Sequence, residues 1–252
     1  GLGSFVDVAL QTRTFATDWS WAVLLQDFDN NGQKDIFITN GIAKRPNDLD
    51  YINYLNSEVV AQYAEDDPER TRKLIDKLPA QQLHNMLFLQ SGDLAFSSVA
   101  DAQVGQPGFS NGAAYADLDQ DGVLEVVVNN INAPATIYKY SAKGGNYLSL
   151  ALRDPAGQAT LGTKVYAYAG GQRFYQELQA VKGYQSSSTH RLHLGLGEQT
   201  QVDSLVIVWP DWTKQIIIDL AVNIEQTIEK AATGLIFETQ LADANAASFN
   251  VL

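Results

Sequence analysis

Two nine-residue segments concentrate oxygen-bearing side chains in a spacing suited to cation capture. The first reads DFDNNGQKD from Asp27 to Asp35, and the second reads DLDQDGVLE from Asp117 to Glu125. Asp27, Asp29, Asn31 and Asp35 stand at positions 1, 3, 5 and 9 of the first, around Gly32. Asp117, Asp119, Asp121 and Glu125 repeat the pattern in the second, around Gly122. Alternate residues of a tight loop aim their oxygens at one centre. Glycine supplies the backbone freedom of the reversal, and the position-7 carbonyl, of Gln33 or Val123, adds a ligand. Calcium takes about six to eight oxygens at roughly 2.3–2.6 Å in flexible geometry, so mixed carboxylates and carbonyls suit it better than magnesium. These ten residues predict two Ca2+ sites. Asp, Asn and Gly also build ordinary turns. Two copies in one register, each with carboxylates that repel one another without a cation, favour the metal.

An EF-hand loop begins the same way but requires a bidentate Glu at position 12 and a helix on each side. Position 12 is Ile38 in one copy and Val128 in the other. The flanking runs Ala22–Leu25 and Ile36–Thr39, and Ala113–Ala116 and Val126–Val128, read as strands. The predicted sites are therefore strand–loop–strand.

The loops lie 90 residues apart, and that offset also aligns Asn40 with Asn130. Phe5–Ala9 precedes the first loop much as Phe96–Ala100 precedes the second. Downstream, Leu87–Gln90 corresponds to Ile137–Tyr140, so the first copy carries an insertion of about 40 residues. Its interior reads as helical: Leu49, Ile52, Leu55 and Val59 follow a helical spacing, and Asp67-Pro68 starts a second helix running to about Leu78. Such helices are expected to pack on the side or mouth of a β structure, where binding functions accumulate.

The DxDxNGxxD loop between short strands resembles the FG-GAP or VCBS repeat of calcium-binding β-propellers, over residues from about 5 to 140. Glu125 departs from it, standing where Asp is usual. Residues from about Asn146 to Lys230 resemble the ASPIC/UnbV domain that follows such repeats in bacterial surface proteins and in cartilage acidic protein. Leu161–Val165, Ala169–Gly171, Gly183–Ser187, Leu192–Gly197, Val202–Leu205 and Trp209–Asp211 carry that likeness. Trp212 stands where this family has Gly after the turn. Independently of any likeness, Lys164–Ala169, Gln172–Gln179, Val202–Trp209 and Gln215–Leu220 alternate as strands bounded by Gly and Asn, which predicts an antiparallel all-β domain.

The expected fold is thus mainly β. Residues 1–140 hold two incomplete propeller blades with a helical insertion at about 42–86, 141–232 a small antiparallel sandwich or barrel, and 233–252 the start of a further blade or an extension. Two blades cannot close a propeller, which needs about four to eight. Residue 1 is Gly, and Phe237–Leu241 sits where a third blade would open, so the chain is expected to be part of a larger polypeptide.

The 252 residues include 17 Lys+Arg and 29 Asp+Glu, a formal charge of −12. That balance argues against a nucleic-acid groove. No apolar run is long enough to span a bilayer as a helix, and the lack of cysteine removes disulfides and thiolate sites. Seven of the 29 acids sit in the two loops, and two bound Ca2+ would bring the charge to −8.

Nothing in the sequence amounts to a catalytic signature. Ser186, Ser187 and Ser188 lack a Gly-x-Ser-x-Gly elbow, and His190 and His193 read as ordinary surface or capping residues. Trp19, Trp21, Trp209, Trp212 and Tyr184 are candidates for a sugar-stacking platform; packing is the default, with Trp212 in a turn the exception. The reading is a non-enzymatic calcium-binding protein, extracellular or at the cell surface (outer-membrane associated if bacterial). The resemblance implies a binding or scaffold role, with a glycan or another surface protein as partner and glycan uptake as the setting. The alternative is a calcium-dependent polysaccharide-acting enzyme, which would need an exposed acidic pocket beside the insertion.

Overall fold

The apolar runs flanking each acidic loop pair as hairpins. The computed structural model describes residues 5–57, 67–98, 100–141, 144–232 and 235–236. After a short helix α1 (Ala9–Thr12) come β1 (Ser20–Gln26), β2 (Asp35–Asn40), β3 (Leu83–Phe88), β4 (Gln90–Gly92), β5 (Ala95–Phe96) and β6 (Gln103–Gly108). The order β1-β2-β3-β6 makes a four-stranded antiparallel sheet, with β4 and β5 as a separate two-stranded ribbon. The strands β7 (Ser110–Ala116), β8 (Glu125–Asn130) and β9 (Thr136–Lys139) form a three-stranded antiparallel sheet.

The internal repeat is realised in register. Pairs Ser20↔Asn40, Val23↔Ile38 and Gln26↔Asp35 in the first hairpin match Ser110↔Asn130, Ala113↔Val128 and Ala116↔Glu125 in the second, with the same irregularity after the first pair. The third strands agree too, since Phe37 faces Leu87 and Val127 faces Ile137. Side chains alternate across a strand, and the two hairpins turn different positions of the repeat inward, Ala22, Leu24 and Phe37 in the first and Ala113 and Val128 in the second. They bury one core, where Phe28 meets Tyr115 edge to face at 6.2 Å.

The insertion lies between β2 and β3 and holds α2 (Leu49–Leu55) and α3 (Pro68–Lys77). Asp48 caps α2 by accepting from the Tyr51 N–H at 3.0 Å, and Asp67 caps α3 by accepting from the Glu69 N–H at 2.8 Å, with Pro68 at its first position. The start at Asp67-Pro68 is the one the sequence announces, while the Asp48 cap is added by the structure. The expected burial of α2 is not observed: Leu49, Ile52 and Leu55 are 71, 40 and 37% exposed, because helical spacing alone does not supply an apolar surface to cover them. Val59 lies outside the described residues, as does Phe237–Leu241. The insertion was expected to reach residue 86, but β3 begins at Leu83, since Leu83–Phe88 continues the sheet.

Next follow β10 (Asn146–Arg153), β11 (Lys164–Ala169), β12 (Gln172–Glu177), β13 (Arg191–Gly197), β14 (Gln201–Val208), β15 (Thr213–Ala221), β16 (Glu225–Glu229) and β17 (Leu235–Ile236). A five-stranded sheet, β12-β11-β14-β15-β17, faces a three-stranded sheet, β13-β10-β16. Leu148, Leu150, Leu152, Leu192 and Leu194 of one, and Val165, Val202, Leu205 and Ile207 of the other, fill the space between them. Among the described residues none of the sheets closes on itself. The expectation of an all-antiparallel domain is corrected at one pair: β16 runs parallel to β10. Asn223, between β15 and β16, donates its N–H to the Tyr147 carbonyl (2.8 Å) and accepts the Tyr147 N–H on its side chain (3.0 Å). The chain therefore re-enters beside the start of β10 and must run in its direction.

Of the tryptophans, Trp209 is buried in this sandwich core. Trp212 is 51% exposed and holds φ 66°, the left-handed region where the resemblance expects Gly, with the Lys164 ammonium 5.4 Å above its ring. The left-handed region costs a non-glycine residue about 1–2 kcal/mol, which offsets what the exposed cation–π contact, about 0.5–1 kcal/mol, contributes. Trp212→Gly should therefore leave stability within about 1 kcal/mol of the parent in chemical denaturation. Trp209→Ala should cost about 3–5 kcal/mol.

Candidate metal centre

Each acidic loop is shaped by its own carboxylates. Asp27 accepts the N–H groups of Asn31 (3.2 Å) and Gly32 (2.8 Å); Asp117 accepts those of Asp121 (3.1 Å) and Gly122 (3.0 Å). The position-9 carboxylate accepts the N–H of position 2, Phe28 on Asp35 at 2.8 Å and Leu118 on Glu125 at 2.7 Å. The position-5 side chain accepts the N–H of position 7, Gln33 on Asn31 at 2.8 Å and Val123 on Asp121 at 2.9 Å. Position 4 is left-handed in both, at φ 59° for Asn30 and 61° for Gln120, as is the glycine, at 91° for Gly32 and 85° for Gly122. Loop shape and carboxylate spacing thus follow directly from the repeated residues.

Ligand atoms of Asp27, Asp29 and Asp35 lie within 4.8 Å of one another, as do those of Asp117, Asp119 and Glu125. The surroundings differ. In the first loop Asp27 and Asp35 are 1% and 0% exposed. Burial, with repulsion from neighbouring carboxylates, pushes Asp27 up to about 7 and Asp35 up to about 6. Both oxygens of Asp35 are taken by backbone donors, Phe28 and, at 2.9 Å, Gln90. Among the described residues no Lys or Arg forms an ion pair with Asp27, Asp29 or Asp35; Lys34 acts on Asp27 and Asp35 only through its field. Buried carboxylates without a bonded cation fit a hard, oxygen-seeking ion.

The second loop is different. Asp119 and Asp121 are exposed, and the Lys139 ammonium reaches Asp119 at 2.7 Å, Asp121 at 2.7 Å and Glu125 at 2.9 Å. Its hydrogen bond holds the Asp121 carboxyl below its usual value, and the three carboxylates raise Lys139. Asp117 is raised, chiefly by burial. This donor set already holds a cation and does not fit a second one as it stands.

The first loop is also where the N-terminal sheets meet the sandwich. Asn30 donates its amide N–H to the Gly122 carbonyl (2.8 Å), which leaves its Oδ1 to accept from His193 Nε2 at 2.7 Å. The Asn30 carbonyl accepts the Gly197 N–H at 2.9 Å, and the Asp29 carbonyl accepts the Gly145 N–H at 3.2 Å. Gln26 donates to the His193 carbonyl at 2.7 Å and accepts from Gln176 at 3.0 Å. On the outer face of β13, a Cβ at Gly195 would lie 1.9 Å from an Asp27 oxygen. A second seam joins Lys182–Ser188 to β1 and β7: Trp21 packs on Tyr184 at 5.0 Å, Lys182 bonds the Tyr115 hydroxyl, and Ser188 accepts the Tyr115 N–H at 3.2 Å.

One family comparison bears on this half of the molecule. Residues 154–234 match the family model described as ASPIC and UnbV. No match to the chain was found among the curated proteins. Strand β10 precedes the ASPIC/UnbV segment yet is the central strand of its smaller sheet. Two of the segment's stretches singled out in the sequence, Gly183–Ser187 and Leu192–Gly197, face the N-terminal sheets.

The surface role expected of the histidines holds for His190, which is exposed, and is corrected for His193, which is 3% exposed. His193 stacks on Tyr147 at 5.2 Å, and its Nδ1 has no hydrogen-bond partner among the described residues. The signal for it was present in the sequence. His193, Gly195 and Gly197 share one strand face, and glycines there mark close approach of another backbone. Ser149, His193 and Glu225 also stand in one row across three strands, on a cavity of about 250 Å³. His193 Nε2 is already bonded to Asn30, so the row does not form a nucleophile–base relay. This cavity lies beside the second acidic loop and not beside the insertion. The five aromatics do not form one platform: Trp209 is in the core, Trp21 lies against Tyr184, and Trp19 under Arg45.

Two outcomes follow. Gly195→Ala should force Asp27 off β13 and lower the melting temperature by several degrees. Burial pushes His193 down to about 3, against an ordinary value near 6.5. Between those values the unfolded chain binds a proton that the folded chain does not, so stability falls as pH drops. In calcium-saturated buffer, lowering pH from 6 to 4.5 should cost the parent about 2 kcal/mol more than His193→Gln, read from denaturation midpoints.

Proposed function

We propose that this chain is a non-enzymatic, calcium-binding module of the cell surface or extracellular medium. An ion held by Asp27, Asp29 and Asp35 fastens the first acidic loop against the C-terminal sandwich. The carrying observation is the convergence of three carboxylates within 4.8 Å, two of them buried, with no bonded cation among the described residues. The Asn31 side chain and the Gln33 carbonyl complete the ligand set in this reading, as oxygen donors of the kind calcium accepts. The four-stranded and three-stranded sheets, with their common register, are read as incomplete blades of the FG-GAP/VCBS type. Extracellular calcium is millimolar, enough to fill weak sites of this class, whose dissociation constants run to about 10⁻⁴–10⁻³ M. The module's role is binding or scaffolding, with a glycan or another surface protein as the partner class suggested by the resemblance.

Calcium should stabilise the intact chain by about 2.7 kcal/mol at 100 times its dissociation constant, roughly 5–10 °C in melting temperature for a chain of this size. Excess chelator should reverse the shift, and Asp35→Asn should remove most of it. A melting temperature indifferent to both calcium and chelator would sink the reading.

A further inference from the structure

We infer that Lys139 is the built-in cation of the second acidic loop, so that the chain binds one divalent ion and not two. The inference rests on the calcium reading of the first loop and adds what sets the two loops apart. The two loops match in strand register, hydrogen bonding and left-handed positions, so the proposed difference in ion binding rests on the side chains. Strand β9 pairs with β8 so that Lys139 faces Glu125, the position-9 carboxylate. Strand β3 pairs with β2 in the same register, with Ile36 facing Phe88, which sets Leu89 in the place of Lys139. An apolar residue thus stands beside one cage and an ammonium beside the other.

The ammonium sits among three of the loop's carboxylates. It lies 2.7, 2.7 and 2.9 Å from Asp119, Asp121 and Glu125, side chains from positions 3, 5 and 9 of the loop. The extra methylene of Glu125 makes this possible. The shorter Asp35 has both oxygens on backbone donors, whereas Glu125 places one on the Leu118 N–H and the other beside Lys139. Because β9 is held in its sheet, the ammonium is present at high effective concentration, and an incoming ion would have to displace it and meet its charge. Among the described residues the first loop has no such competitor bonded to its carboxylates.

Calorimetric titration of the intact chain with calcium chloride tests this, with terbium luminescence as a second readout. The parent should bind one ion, and Lys139→Met should bind two. Lys139→Gln should do the same if the methionine variant folds poorly. Asp119→Asn should leave the parent's single ion in place but return Lys139→Met from two ions to one. Two ions in the parent, or only one in a folded Lys139→Met and Lys139→Gln, would overturn the role of Lys139 while leaving calcium binding intact. If the parent bound no ion, the calcium reading of the first loop would fall. One ion gained by Lys139→Met in that case would still support Lys139 as the occupant of the second.

Discussion

The Asp27 carboxylate, buried between its own loop and Gly195 of β13, is the contact on which the rest of the structure depends. Its oxygens accept the Asn31 and Gly32 N–H groups that set the loop, and one of them lies where any side chain at residue 195 would have to be. A charged group is seldom buried without partners, because desolvation costs more than two hydrogen bonds return. Here the burial is shared by Asp35 and by the polar contacts of Gln26, Asn30, Gln176 and His193. A cation bound here, as proposed, would serve loop and interface together, since it would offset the charge of Asp27 and Asp35 where the two meet.

The duplicated hairpins show how one backbone frame supports two electrostatic solutions. The frame depends on short-range hydrogen bonds accepted from loop N–H groups by Asp27 or Asp117 and by Asp35 or Glu125, all made within nine residues. The charge balance depends on the neighbouring strand, which brings the Gln90 N–H to one loop and the Lys139 ammonium to the other. Duplication preserved the first and left the second free to differ. The tips differ in exposure for a related reason: the first is enclosed by β13 and Gly145, while Asp119 and Asp121 of the second remain in solvent.

Much of this was legible in the chain itself. Alternation of apolar residues placed the strands, the 90-residue offset anticipated a register shared pair by pair, and Asp67-Pro68 announced α3. These features depend on interactions within a few residues or between adjacent strands, where spacing and geometry are directly related. The burial of His193, the parallel course of β16 and the exposure of the α2 apolar stripe were not anticipated. Each depends on which surface comes to face the element; the glycines at 195 and 197 mark a close approach beside His193, but local spacing does not encode what approaches.

By itself the sequence determined the loops: which oxygens converge, where the backbone turns left-handed, and that the arrangement occurs twice. Only the tertiary structure decided what each loop became. It buried Asp27 and Asp35 against a glycine-bearing strand and brought Lys139 onto Asp119, Asp121 and Glu125. The reason is one of range. A loop's shape is settled by hydrogen bonds inside it, whereas the cost of its charge is settled by solvent exclusion and by whichever donor a distant part of the chain sets beside it.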